Sequence, residues 1–159
     1  MPEKIMTAMQ LVPVLERARM QKERIVFTNG CFDLMHIGHT RYLQAARALG
    51  NLLVVGVNSD ASVRSLNKGS DRPIVPETQR AEVVAALGCV DYVVIFTEPD
   101  PGQLIAALRP DVLVKGGDWA INKIIGRETV EARGGIVTTI PLVPGMSTTS
   151  LLQRIRSAT

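Results

Sequence analysis

Five short apolar runs, each separated from the next by a helical pattern, constrain what this chain can fold into. They lie at residues 25–28, 52–57, 92–96, 112–114 and 136–140. The run Leu52-Leu53-Val54-Val55-Gly56-Val57 has no polar alternation, as expected of a strand covered on both faces. Helical patterns fall between the runs. One spans 39–49 and is closed by Gly50, and a short one covers 62–66. Another runs 76–87, opened by Pro76 and stopped by Gly88, and a fourth covers 101–108 with Pro101 at its start. The last two lie at 128–133, before Gly134-Gly135, and at 147–156. Ahead of the first strand, residues 10–20 read as a short amphipathic helix interrupted by Pro13, within an N-terminal helical region at about 3–20.

Strands that alternate with helices predict a doubly wound, Rossmann-like α/β domain, a five-stranded parallel sheet with helices on both faces. A chain of 159 residues fits one such domain, with its core at about 24–157. Ligands of such sheets bind beyond the carboxyl ends of the strands, near the topological switch point. The unusual segments all follow strands: residues 29–39, Asn58-Ser59-Asp60, 115–119 and 144–149. Four loops therefore converge on one crevice.

Both histidines fall in one tetrapeptide, His36-Ile37-Gly38-His39, just after the glycine loop Asn29-Gly30-Cys31-Phe32-Asp33 and at the start of a helical pattern. Imidazoles three residues apart on a helix share a face. At a helix N-terminus they sit beside free N–H groups and the positive end of the dipole, which suits a polyphosphate. Zinc is the competing use of such a pair, but Cys31 and Cys89 lack the spacing of further ligands. No dinucleotide G-x-G-x-x-G pattern follows the first strand.

These motifs resemble the nucleotidylyltransferase superfamily with the HxGH signature. The closer likeness is to heptose 1-phosphate adenylyltransferases. It rests on the ordered set Thr28–Asp33, His36–His39, Val57-Asn58-Ser59-Asp60, Arg72-Pro73, Gln79-Arg80, Leu113–Asp118 and Gly145-Met146-Ser147-Thr148-Thr149. The resemblance implies transfer of AMP from ATP to D-glycero-D-manno-heptose 1-phosphate. ADP-heptose and pyrophosphate would form, for lipopolysaccharide or other surface polysaccharide. In many bacteria this activity is the C-terminal half of a protein that also carries a sugar kinase. The chain resembles its stand-alone form, so a separate heptose kinase is the implied functional partner and a homodimer the implied assembly. Mg²⁺ is expected with ATP, held by substrate oxygens and water rather than by protein alone.

The implied roles follow the motifs. His36, His39 and Lys68 are the catalytic candidates, the imidazoles donating to phosphate oxygens and Lys68 neutralising charge from a mobile loop. Thr28, Asn29, Gly30, Cys31, Phe32, Gly38, Lys115, Gly117, Asp118, Ser147, Thr148 and Thr149 are the nucleotide and phosphate contacts. Asn58, Asp60, Arg72 and Arg80 are the acceptor contacts. Plainer roles compete: core packing for Phe32, helix capping for Asp60 and Ser147, surface charge for Lys68 and Arg80. Asp33 has two readings, orienting a histidine or capping the turn.

The nearest rival is a CTP-dependent glycerol-3-phosphate cytidylyltransferase. That family carries an arginine where this chain has Leu142. A nucleotide-binding module without catalysis is a second rival, opposed by the intact histidine pair. Net charge is +3 and aromatics are 4% of residues, so nucleic-acid binding has little support. No apolar run reaches the roughly 20 residues of a membrane span, and the N-terminus lacks a signal-peptide layout. The expected location is the cytoplasm.

Overall fold

The computed structural model describes residues 2–158. Strands β1 (Ile25–Gly30), β2 (Leu52–Asn58), β3 (Tyr92–Phe96), β4 (Val112–Gly116) and β5 (Ile136–Ile140) form one sheet in the order β3-β2-β1-β4-β5. Every pairing is parallel. The helices are α1 (Ala8–Met20), α2 (Ile37–Arg47), α3 (Asp60–Ser65), α4 (Glu77–Ala85), α5 (Gly102–Leu108), α6 (Arg127–Glu131) and α7 (Thr148–Ser157).

Period-two alternation sends neighbouring residues of β1 to opposite faces. Phe27 packs with Leu11 and Leu15 of α1 and with Leu104 and Ile105 of α5. Val26 packs with Leu43 of α2 and with Ala81 and Val84 of α4. Both faces are therefore covered, which is why the strands carry few polar residues. Each fully buried leucine on these helices contributes about 1.5–3 kcal/mol.

The chain runs outward from β1 through β2 to β3, then returns to the other side of β1 as β4. That reversal is the switch point. The ladder between β1 and β4 comprises Val26 with Val112 and Phe27 with Leu113. Beyond it the loops after the strands diverge and leave a crevice.

Three expectations need correction. Pro13 does not interrupt its helix, because α1 is continuous through it. The carbonyl that loses its partner belongs to Met9, an 87% exposed residue in the first turn, where water has access. Helix α2 begins at Ile37, two residues before the expected start at 39, with His36 as its N-cap. Strand β4 continues through Lys115 and Gly116, held opposite Thr139 and Ile140 of β5. The strand thus runs two residues past the expected 112–114, and its end brings Lys115 to the crevice.

Candidate active site

His36 occupies an N-cap position that usually belongs to Ser, Thr, Asp or Asn. Its Nδ1 accepts the N–H of Gly38 at 3.1 Å, and the Nδ1 of His39 accepts the N–H of His36 at 3.3 Å. The two rings pack with centroids 3.9 Å apart. With each Nδ1 committed as an acceptor, the hydrogen-bond network assigns the proton of each neutral ring to Nε2. Burial holds both imidazoles below their ordinary pKa; His39, beside His36 and Lys68, is pushed down to about 4. The pair is thus two neutral N–H donors at a helix N-terminus.

Gly38 is required by the same cap. A Cβ there would lie 2.7 Å from the His36 ring. Phe32, backbone φ 50°, is both core and crevice wall: its ring packs among apolar residues and stands 5.5 Å from His39.

The crevice encloses about 830 Å³. Its walls include Asn29, Gly30, Cys31, Gly38, Asn58, Lys68, Arg72, Lys115, Asp118, Ser147, Thr148 and Thr149, together with Phe32 and both histidines. The N-terminus of α7 faces it. Ser147 caps that helix by accepting the N–H of Ser150 at 3.0 Å, and Thr148 donates to the Leu34 carbonyl at 3.4 Å. The first N–H groups of α7 add a second set of donors beside the α2 terminus.

Four sequence candidates do not line the crevice. Arg80 is 1% exposed: its guanidinium donates to the carbonyls of Val75, Cys31 and Asn58 and pairs with Asp60 at 2.8 Å. It clamps three loops from below and cannot meet an acceptor phosphate. Asp60 is its partner and the first residue of α3, whose N-cap is Ser59. Thr28 is buried under the floor, donating to the Val114 carbonyl at 3.0 Å. That leaves the Tyr42 hydroxyl as donor to Thr28 at 2.7 Å. Gly117 donates its N–H to the Ile140 carbonyl at 2.8 Å and lies against β5.

Asp33 neither orients a histidine nor caps its own turn. Its carboxylate accepts from the Arg72 Nε at 2.6 Å and from the N–H groups of Ile74 and Val75. Burial alone would raise its pKa, but these bonds outweigh burial and hold it below the usual carboxylate range. The pair latches the base of the loop that carries Lys68. Lys115 sits deep in the crevice, its Nζ 5.3 Å from the centroid of the Trp119 ring. Burial, with Lys68 nearby, brings its pKa down to about 8.

Sequence reasoning missed Tyr42 and the segment Pro99-Asp100-Pro101 after β3, both on the crevice wall. The rule that every loop at the carboxyl edge of a parallel sheet faces the ligand would have found that segment. Among the described residues no group of three His, Cys, Asp or Glu is placed to hold a metal ion, and no helix is long and apolar enough to cross a membrane.

Two helix N-termini, paired neutral imidazoles and clustered lysines in one crevice form an anion site at a sheet switch point. The family model described as cytidylyltransferase-like matches residues 27–154, which include every one of these elements. The chain belongs to the cytidylyltransferase-like family. This family membership makes it a nucleotidyltransferase.

The chain is similar to "Bifunctional protein HldE" of Citrifermentans bemidjiense, at 53% identity over 93% of this chain and 30% of that protein. The HldE protein of Syntrophotalea carbinolica is 54% identical over 96% of this chain and 31% of its own length. The chain therefore spans about 30% of the length of these relatives. Among solved structures, a lipopolysaccharide core biosynthesis protein from Thermoplasma volcanium aligns with TM-score 0.64 at 27% identity, over 76% of this chain and 97% of that one. A pantoate-beta-alanine ligase from Francisella tularensis aligns with TM-score 0.58 at 13% identity, over 96% of this chain and 76% of that one; it shares the fold alone.

Proposed function

We infer that this cytidylyltransferase-like chain transfers AMP from ATP to a heptose 1-phosphate, releasing pyrophosphate. The observation that carries the reading is the stacked His36–His39 cap, in a chain 53% identical to HldE across nearly its whole length. An oxygen of the acceptor phosphate attacks the α-phosphorus. The new O–P bond forms as the bond from that phosphorus to the bridging oxygen breaks, and that oxygen leaves with pyrophosphate. The nucleophile is already an anion, so no general base is needed.

Catalysis is then positioning plus stabilisation of developing charge. Neutral His36 and His39 each donate Nε2–H to phosphate oxygens near the scissile bond. Lys68, carried on the loop latched by Asp33 and Arg72, neutralises the departing phosphates. The N–H groups of Thr148 and Thr149 hold the chain of phosphates from the α7 side. Mg²⁺ would arrive bound to the triphosphate, where it would screen phosphate charge, with Asp100 and Asp118 on the crevice wall. A homodimer and a separate heptose kinase belong to the same proposal.

The cytidylyltransferase-like description favours CTP as the nucleotide of a second reading, in which glycerol 3-phosphate would be the acceptor. Against it, Leu142 places an apolar side chain on the crevice wall at the position of that group's arginine. Mass spectrometry of the products from ATP and heptose 1-phosphate tests the proposal. ADP-heptose is the expected product. ATP binding without any nucleotide product, from this or any other phosphorylated acceptor, would instead mark a non-catalytic module.

A further inference from the structure

The acceptor contacts expected from sequence are partly removed by the fold, since Arg80 and Asp60 are committed to each other and to loop carbonyls. The crevice offers a replacement on its other side. Asn29 and Lys115 each lie two residues beyond the paired Phe27 and Leu113, at the point where β1 and β4 part. Alternation puts both on the sheet face that packs against α1 and α5, and both line the crevice. The helix bearing the histidines, α2, packs on the opposite face. The crevice thus straddles the switch point, with the histidine pair on one side, these two residues on the other, and Lys68 within electrostatic reach of both.

Each of the two is incomplete as it stands. The Asn29 Oδ1 is buried and has no hydrogen-bond partner among the described residues. Buried acceptors without donors are rare and point to a missing partner. The Lys115 ammonium makes no ion pair or hydrogen bond with a described residue, and it lies over the Trp119 ring, 5.3 Å from its centroid. An acceptor lacking a donor beside a cation that no carboxylate contacts directly, with Asp118 acting on it only from a distance, is the complement of a molecule carrying a hydroxyl next to a phosphate.

We propose that Asn29 and Lys115, which the sequence resemblance implies as nucleotide and phosphate contacts, form instead the acceptor subsite, Lys115 binding the phosphate of a sugar phosphate and Asn29 accepting a bond from one of its hydroxyls. This rests on the transferase reading above and says which half of the crevice reads the acceptor. The pair therefore acts on selection of the sugar and leaves nucleotide affinity alone.

The test is initial-rate kinetics of wild type, Lys115→Met and Asn29→Leu, with ATP and heptose 1-phosphate varied separately. Losing a charge-assisted contact raises the acceptor KM of Lys115→Met by about tenfold to a hundredfold, and losing a neutral one raises that of Asn29→Leu by about fivefold. The KM for ATP changes less than twofold in both. Asn29→Leu also melts no lower than wild type, because it removes a buried acceptor that the fold leaves unpaired; a purely structural Asn29 would melt lower. A raised KM for ATP with an unchanged acceptor KM overturns the proposal, since the two residues would then read the nucleotide. If wild type uses another phosphorylated acceptor instead, the heptose assignment fails. The subsite then stands only if Lys115→Met raises the KM of that acceptor, and falls if it does not.

Discussion

His36 and His39 hold each other through the backbone: the His39 ring accepts the N–H of His36, and the His36 ring caps the helix at Gly38. The network leaves each Nε2–H for the crevice. Structure and chemistry therefore use different nitrogens of the same rings, and substitutions can separate them. In His36→Asn the amide oxygen caps the helix but the Nε2 donor is gone. Turnover is expected to fall about 10²–10³-fold by comparison with loss of an oxyanion-hole donor. The melting temperature stays near wild type, whereas His36→Ala also loses the cap, about 0.5–2 kcal/mol. Stopped-time pyrophosphate assays and thermal melts on both variants check this.

The buried rings also make stability depend on pH. His39 has a folded pKa of about 4 against an ordinary 6.5. Between those values the unfolded chain binds more protons than the folded one, so stability falls as pH drops from 6.5 toward 4. Urea unfolding of the ligand-free protein at pH 7 and pH 5 is expected to show the loss. His39→Gln flattens the slope.

Arg80 is predicted to matter for folding rather than for substrate choice. Arg80→Met strands the carbonyls of Cys31, Asn58 and Val75 and leaves Asp60 without its cation. Breaking a buried pair from one side costs about 3–5 kcal/mol, which lowers the melting temperature by roughly 10 °C in a chain of this size. Calorimetry measures the drop. At a temperature where the variant is folded, the KM values for both substrates remain close to wild type.

The Asp33–Arg72 latch governs the Lys68 loop. In Asp33→Asn the two N–H bonds from Ile74 and Val75 weaken and Arg72 loses its anion. Trypsin is expected to cut after Lys68 sooner than in wild type, and kcat to fall with little change in acceptor KM. Because the Asp33 pKa is held below the ordinary carboxylate range, its contribution is present above about pH 4 and is lost as pH falls through the lower, folded value.

Lys115 supplies a basic limb. Its pKa of about 8 predicts that kcat/KM for the acceptor falls as pH rises through 8 in the free enzyme. In Lys115→Met that limb is absent. For stability the sign is opposite: from pH 8 to 10.5 the unfolded chain holds a proton that the folded one has released, so this group adds stability as pH rises.

Local features were legible in the sequence and long-range ones were not. The strand runs, the histidine spacing and the cap before α7 each depend on a few neighbouring residues. Arg80 reads in the sequence as an acceptor contact, with surface charge as its plainer alternative, because nothing near it in sequence shows that Cys31, Asn58 and Asp60 fold around its guanidinium. The orphaned Asn29 oxygen arises only once β1 and β4 separate. Pro13 misled because it falls near the start of α1 and the carbonyl it orphans belongs to Met9, an exposed residue, which lessens the cost of the lost bond.

The most direct test of the account compares kcat/KM for four mixtures, ATP or CTP with heptose 1-phosphate or glycerol 3-phosphate, by pyrophosphate release. The account predicts that ATP with heptose 1-phosphate is preferred by at least about two orders of magnitude, the scale set by the polar contacts that a glycerol or cytosine group fails to satisfy. Preference for CTP with glycerol 3-phosphate would contradict it.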